Sequence, residues 1–466
     1  MHFYTWASTG GNIYYAILNG GPAGYLFNYI VVLLGVIVQS ACFAELASIM
    51  PIAGAQYYWT YHWAPPSCRE FLTWIQGWTT WLGYLSILAT IVNSIGFSIG
   101  ALINMFNPDY EVGGWRSVLY VMAVMLIYTV LNTWTFKLVP AMELILGIVN
   151  IATFFFVIVA VWVLSPRNSP DVFVTFAKFS GYENDFVSWS VGMLPQIYMF
   201  VGIEGVIHMG EETKDPKRTV PFAMFWSIVV NGVMGLFSLM TWLICMPPTE
   251  DMVNAIHPFY YLLWTSLGSP ALFLAITILF LAGSFACGLS AYASCSRLTW
   301  AWARDGGIPA YFAYVDSKSR VPVRAVVLTC TVILLLNLFN LGTDSLTALG
   351  AITSLPSLAL YNSYAIVFSV TLYTRLTTGL PHREWSLGRA GLAMNIAALV
   401  FTVYCMIWLP FPTKVPVTAY SMNYSGPVFL VVMLGAMGAW FVWAKRNWGG
   451  PNKALAEHVV REFESS

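Results

Sequence analysis

Charge is what this sequence has least of. Asp, Glu, Lys and Arg make up 9% of its 466 residues, against roughly 25% in a soluble globular domain, so a fold bathed in water on all sides is excluded. Lys plus Arg and Asp plus Glu stand equal at 21 each; with no excess of either sign, no nucleic acid is implied as a partner. The seven cysteines, at 42, 68, 245, 287, 295, 330 and 405, form no CxxC pair and read as small apolar packing residues rather than a disulfide frame or metal ligands. The opening MHFYTWASTGG has no basic stretch before an apolar core and is no secretory signal. No polar stretch is long enough for a soluble domain, and no cofactor is called for.

Apolar residues are abundant instead, at 58% of the chain. Runs of about 20, each sufficient for a bilayer's hydrocarbon, recur at Ser8–Leu18 (short), Tyr25–Ala47, Phe71–Phe106, Ser117–Trp134, Val139–Leu164, Val187–Met209, Val220–Met246, Pro270–Ala303, Val323–Leu341, Leu346–Tyr373, Leu392–Leu409 and Gly426–Trp443. The reading is an all-α polytopic membrane protein, with eleven full spans and one short one. If the first span exits outside, seventeen of the 21 Lys and Arg residues fall on the cytoplasmic side, leaving only Arg116, Arg167, Lys178 and Lys414 opposite. That asymmetry obeys the positive-inside rule and puts the C-terminal tail, 444–466, in the cytoplasm.

Glu204 stands between Gly202 and Gly205 in the apolar run MLPQIYMFVGIEGVIHMG. An acid at that depth is costly and marks function, and the glycines weaken the helix around it. A second glycine-rich weak point lies in the first span, at Ser8, Thr9, Gly10 and Gly11. Breaks in two halves of a membrane protein point to a transport site. The half-helix expected to begin near Gly10–Gly11 would aim N–H groups at a substrate carboxylate, while Glu204 would meet an amine, carry a coupling proton, or be structural, hydrogen-bonded to backbone freed by the break. Trp6 and Tyr198, beside the two breaks, could face a cation with their rings. Close packing by small residues and generic aromatic packing are the plainer readings of the same positions. Glu45 and Glu143, near span ends, are expected to snorkel or to pair with Lys137 or Arg297. Asn423-Tyr424-Ser425 is a glycosylation sequon close to the last span, expected to go unused.

Three stretches, NGGPAGYLFNYIVVLLGVIVQSACFAELASIMPIAGAQYYWTYHWAPP (Asn19–Pro66), FVGIEGVIHMGEETKDPKRTVP (Phe200–Pro221) and SCSRLTWAWARDGGIP (Ser294–Pro309), resemble the amino acid–polyamine–organocation (APC) superfamily. With LGRAGLAMN and PVTAYSMNY (Leu387–Asn395, Pro416–Tyr424) they resemble more narrowly its fungal amino acid, choline and GABA permease branch. The resemblance implies a LeuT-type fold of 5+5 inverted repeats plus two helices, within one transporter domain over 1–443. The repeats would cover about 1–164 and 187–373, and the extra helices about 392–443. It implies a plasma-membrane permease for a small amine-bearing solute such as an amino acid, GABA or choline. The substrate site would draw on Trp6, Ser8, Thr9, Gly10, Gly11, Tyr198, Gly202, Glu204 and Gly205, and an inner gate on Glu211, Glu212, Lys217 and Arg218. Relatives carry a further half-helix before the position of Trp6, so the chain is expected to start part-way along its first helix, as a truncated form. The lysine that some proton-coupled relatives place in the fifth helix has no counterpart between Leu138 and Pro166; protons are expected as the coupling ion from the fungal relatives alone.

A membrane-embedded enzyme is the reading from another class. It would need a nucleophile and base inside the membrane, and of six histidines only His208 falls in a span. A non-transporting nutrient receptor on the same fold is the closer alternative.

Overall fold

Proline, or a side chain that caps the free N–H groups, opens many of the helices. In the computed structural model, which describes residues 4–135, 138–341, 345–381, 383–418 and 421–452, the chain begins with α1 (Thr5–Gly11) and α2 (Ile13–Leu18), followed by α3 (Gly21–Ile49), which starts at Pro22 after Gly20 at φ 103°. A short helix α4 (Gln56–Trp63) leads to α5 (Arg69–Phe106), α6 (Gly114–Thr133) and α7 (Val139–Leu164). The next span is broken into α8 (Asp185–Val191), capped by Asn184, and α9 (Leu194–Met199). After a non-helical stretch at 200–204 the chain resumes as a 3-10 turn, Gly205–Glu212. There follow α10 (Pro216–Cys245), the two short helices α11 (Thr249–Asn254) and α12 (Pro258–Leu267), and α13 (Pro270–Arg304), whose Ser269 cap accepts from Leu272 N–H. The last spans are α14 (Val323–Asn337), α15 (Ser345–Thr377), α16 (Gly391–Trp408) and α17 (Ser425–Ala439).

Among the described residues ten helices are long and apolar enough to cross a membrane. With the broken span and the short first one, this is the expected all-α polytopic architecture. The helix α5 sits at the centre, packed on α4, α6, α13, α14 and α15, while α3 packs on α10 and α16. Enclosure separates inner from outer spans: 72% of the apolar window of α15 is buried but only 22% of that of the last span. Since no water competes in the hydrocarbon, the exposed Leu, Ile and Val on α6, α7, α16 and α17 are lipid-facing surface rather than a folding defect.

One expected break lies where the sequence placed it, and the other falls one residue past Gly11. Phe200–Glu204 is non-helical, with Gly202 at φ 81°, a left-handed conformation that glycine tolerates without strain. In the first span Ser8, Thr9, Gly10 and Gly11 lie inside α1, and the interruption comes at Asn12, a turn residue between α1 and α2, where Asn12 N–H still donates to Ser8 O at 3.0 Å, reinforced by its own Nδ2 at 3.0 Å. Glycine inside a helix costs about 1 kcal/mol, which these bonds offset. The first half of the span, α1, starts upstream at Thr5, and the second half, α2, begins at Ile13, just past Gly10–Gly11.

The buried acid Glu45 pairs with neither expected base. It accepts from Arg375, from Arg383 Nε at 2.6 Å and from Leu387 N–H at 3.1 Å, joining α3 to the α15–α16 connection. Glu143 accepts from Ser290 Oγ at 2.8 Å; Lys137 lies outside the described residues.

Candidate solute cavity

Helical spacing brings one side of each of several helices to a common space. Ser8, Gly11, Asn12 and Tyr15 follow at the intervals of a single helix face across α1 and α2; Ile87, Ile91, Ser94 and Ser98 do so on α5, and Phe280, Ser284 and Cys287 on α13. With Tyr4, with Tyr198, Met199 and Val201 at the broken span, and with Phe259 and Tyr260 of α12, they enclose a cavity of about 180 Å³. At roughly 30 Å³ for each water this is the room of about six waters, a solute of roughly that many heavy atoms.

The wall is neutral. Among the described lining residues none carries a formal charge, and six are aromatic: Tyr4, Tyr15, Tyr198, Phe259, Tyr260 and Phe280. Tyr4 is fixed by donating to Phe280 O at 2.7 Å and accepting from Ser284 Oγ at 2.8 Å. Serine hydroxyls on α5 donate back to their own helix, Ser94 to Thr90 O and Ser98 to Ser94 O, leaving oxygen lone pairs toward the space.

Of the expected substrate residues, only Ser8, Gly11 and Tyr198 line this cavity. Trp6 is fully buried behind the wall, its ring 5.3 Å from Phe154 and 5.4 Å from Phe280. Thr9 faces α10, where its Oγ1 accepts from Trp242 Nε1 at 2.9 Å. Gly10 is close-packed: a Cβ there would lie 2.1 Å from the Phe259 ring. Gly202 donates its N–H to Tyr364 Oη at 3.2 Å, and Gly205 O accepts from Ser294 Oγ at 3.3 Å. The α5 serines, Asn12 and the α12 aromatics went unnoticed in the sequence. The serines repeat near helical spacing, a legible signal, but α12 reaches the cavity only through the fold.

Glu204 also stands away from the cavity. Its carboxylate is fully buried and accepts from Gln56 Nε2 at 2.7 Å, Tyr84 Oη at 3.2 Å and Tyr364 Oη at 2.5 Å. These donors come from α4, α5 and α15, so the acid ties the break to three neighbouring elements through neutral hydrogen bonds. Val201, three residues earlier, is on the cavity wall. One short segment therefore faces the cavity on one side and the carboxylate network on the other.

The two acids of the expected gate, Glu211 and Glu212, form ion pairs with arginines outside the expected set. Glu211 meets Arg304 at 3.2 Å and accepts from Ala53 N–H at 3.0 Å; Glu212 meets Arg297 at 3.0 Å. Both arginines belong to α13, whereas Lys217 and Arg218 stand at the start of α10.

Residues 4–434 match the family described as amino acid permease. The chain is similar to a choline transporter of Saccharomyces cerevisiae, 25% identical over 429 residues that cover 90% of this chain and 75% of the relative. It is similar to an amino-acid permease, a BAT1 homolog, of Oryza sativa subsp. japonica, 27% identical over 463 residues (93% of this chain, 86% of the relative). It is also similar to a GABA-specific permease of Saccharomyces cerevisiae, 25% identical over 471 residues (96% and 80%).

Proposed function

The chain belongs to the amino acid permease family of the APC superfamily, a family of multi-pass membrane transporters rather than enzymes, and on that premise we propose that it imports a small ammonium-bearing solute across the plasma membrane, driven by protons. The observation that carries the substrate reading is the wall of six aromatic side chains, with no formally charged side chain among the described lining residues. Aromatic faces attract a desolvated ammonium by about 2 kcal/mol or more each, and serine and tyrosine oxygens supply acceptors. A choline-like or amino-acid solute has its cationic end satisfied there; a carboxylate would meet only neutral donors.

Import and sidedness rest on the positive-inside count, which puts the α13 arginines and the tail in the cytoplasm. In this orientation α11 and α12 form an outer lid over the cavity, and the Glu211–Arg304 and Glu212–Arg297 pairs form an inner gate. Glu204 is the coupling group in this reading. It can gain or lose a proton without breaking an ion pair, and either event changes the hydrogen bonds that hold the 200–204 segment. Substrate at Val201 and the proton at Glu204 thus act on the same few backbone bonds, which is what coupling requires.

The test is uptake of labelled choline and labelled GABA, side by side, in yeast lacking its own permeases, at acidic and neutral external pH. Uptake of either that rises with acidity supports the reading, and choline alone would identify the aromatic wall as a quaternary ammonium cage. No uptake of either, with the protein at the cell surface, overturns it.

A further inference from the structure

His257 takes no part in the cavity wall or in the gate. It forms the N-terminal boundary of α12, with the residue only 4% exposed, and its ring stands edge-on to Phe97 of α5 at 5.4 Å and to Tyr260 at 6.5 Å. Neither ring nitrogen has a hydrogen-bond partner among the described residues. A buried polar atom left unpartnered is uncommon and costs about 1–3 kcal/mol, so two on one ring call for a reason.

A second cavity of about 360 Å³ provides one. Its wall includes His257, Asn104, Asp251, Asn254 and Tyr261, and Asp251 is the one carboxylate on it among the described residues. The titratable groups facing this region are Asp251 from α11 and Tyr260 and Tyr261 from α12. Tyr14 and Tyr15 come from α2, which packs on both lid helices. From α5 come Phe97, Asn104 and Met105, none titratable. The cation Lys414 is bonded to Tyr14 Oη at 2.7 Å.

We propose that His257 is a proton-binding site in the lid, and that binding a proton opens the solute cavity on the side where the lid lies. An imidazolium carries a charge and two donors, and its present seat between Phe97 and Tyr260 supplies no acceptor for either. A buried charge without a partner is strongly disfavoured, so the protonated ring moves into the second cavity, toward Asp251. Phe259 and Tyr260 follow His257 after Pro258 alone and line the solute cavity; displacing the ring unseats them.

The sign follows from linkage. Burial pushes the His257 pKa down to about 4 from the usual 6.5, so the closed lid binds protons less well than an open one. This group's preference for the closed lid is complete above pH 6.5 and is lost as pH falls toward 4. Between pH 7.5 and 5.5 the closed-to-open ratio falls about tenfold.

The lid movement stands independently of the proposed transport; only its effect on uptake rests on that reading. The experiment is hydrogen exchange by mass spectrometry on the full chain in lipid nanodiscs at pH 7.5 and 5.5, corrected for chemical exchange and read on peptides within 249–267. Wild type should lose roughly tenfold of its protection there at the lower pH. His257→Gln, always neutral, should not, and Glu204→Gln should respond as wild type does. Asp251 is exposed, so Asp251→Asn spares the fold and should weaken the response by removing the group that receives the ring. An unchanged lid in wild type, or an equal response in His257→Gln or in Asp251→Asn, overturns the proposal. A lid that responds in a chain that takes up neither solute leaves the proton site standing and rejects the transporter reading instead.

Discussion

The Phe259 ring occupies the space where Gly10 would carry a side chain: a Cβ on Gly10 would lie 2.1 Å from one ring carbon and 2.5 Å from the next. This contact seats the lid on the first helix beside the cavity. Gly10→Ala must push the ring away, and overpacking of this kind costs about 1–3 kcal/mol. The expected outcome is a lid that no longer closes, with uptake reduced roughly tenfold at unchanged surface expression, measured by labelled-solute uptake and surface biotinylation.

Glu204 and Tyr364 are joined by a hydrogen bond at the broken span. Tyr364 Oη donates to the carboxylate and accepts from Gly202 N–H, so Tyr364→Phe removes two bonds from the broken segment. A hydrogen bond to a charged group contributes about 1.5–3 kcal/mol. Glu204→Gln should abolish most uptake and make the remainder independent of external pH. Tyr364→Phe should lower uptake about tenfold while keeping the pH dependence. Near-normal, pH-dependent uptake by Glu204→Gln would reduce the acid to a structural role.

The inner pairs differ in burial, and so in consequence. Arg297 is 3% exposed beside Glu212, whereas Arg304 is 20% exposed beside Glu211. Glu212→Gln strips a buried guanidinium of its carboxylate and is expected to destabilise by about 1–3 kcal/mol, the lower part of the range for a broken buried pair because Glu212 itself is half-exposed. Glu211→Gln should cost less than 1 kcal/mol, and Arg218→Ala, exposed at the start of α10, should leave uptake within about twofold. Thermal melting of purified variants orders the three.

Cys287 offers a direct probe of the cavity, because it lines the wall near Ser284. A water-soluble thiol reagent should inhibit uptake, excess solute should protect, and Cys287→Ser should be active but resistant. Inhibition that persists in Cys287→Ser would place the sensitive thiol elsewhere.

The sequon asparagine is engaged in structure. Asn423 Nδ2 donates to Leu409 O at 2.8 Å and Phe411 O at 3.0 Å, while Oδ1 accepts from Ser425 N–H and Oγ. A sugar on Nδ2 would displace those bonds. Enzymatic deglycosylation should therefore leave gel mobility unchanged, and Asn423→Ala should lower the melting temperature.

Most of the spans were legible because hydrophobic length and flanking charge are local properties, and the bilayer imposes them on each segment separately. The interruption around Glu204 was legible for a related reason: Gly202 at positive φ and an acid between glycines are a local conflict with a continuous helix. The same reasoning placed the first span's interruption at Gly10–Gly11, just short of Asn12, where α1 gives way to α2. Glycine both loosens a helix and admits a close neighbour, and only the presence of the Phe259 ring says which of the two it does here.

What the sequence determined by itself is therefore the membrane class, the number and order of spans and the place of the main break, each set by composition and spacing within a segment. The tertiary structure alone decided which walls meet. It turned Glu204 away from the cavity and onto Tyr84, Tyr364 and Gln56, and it brought Glu211 and Glu212 to the arginines of α13. It also brought α12 over a site otherwise built from α1, α2, α5, α13 and the broken span. The direction of a side chain in a non-helical segment, and the partner of a charge, depend on residues far apart in the chain. No local pattern carries that information, because it arises only when helices pack.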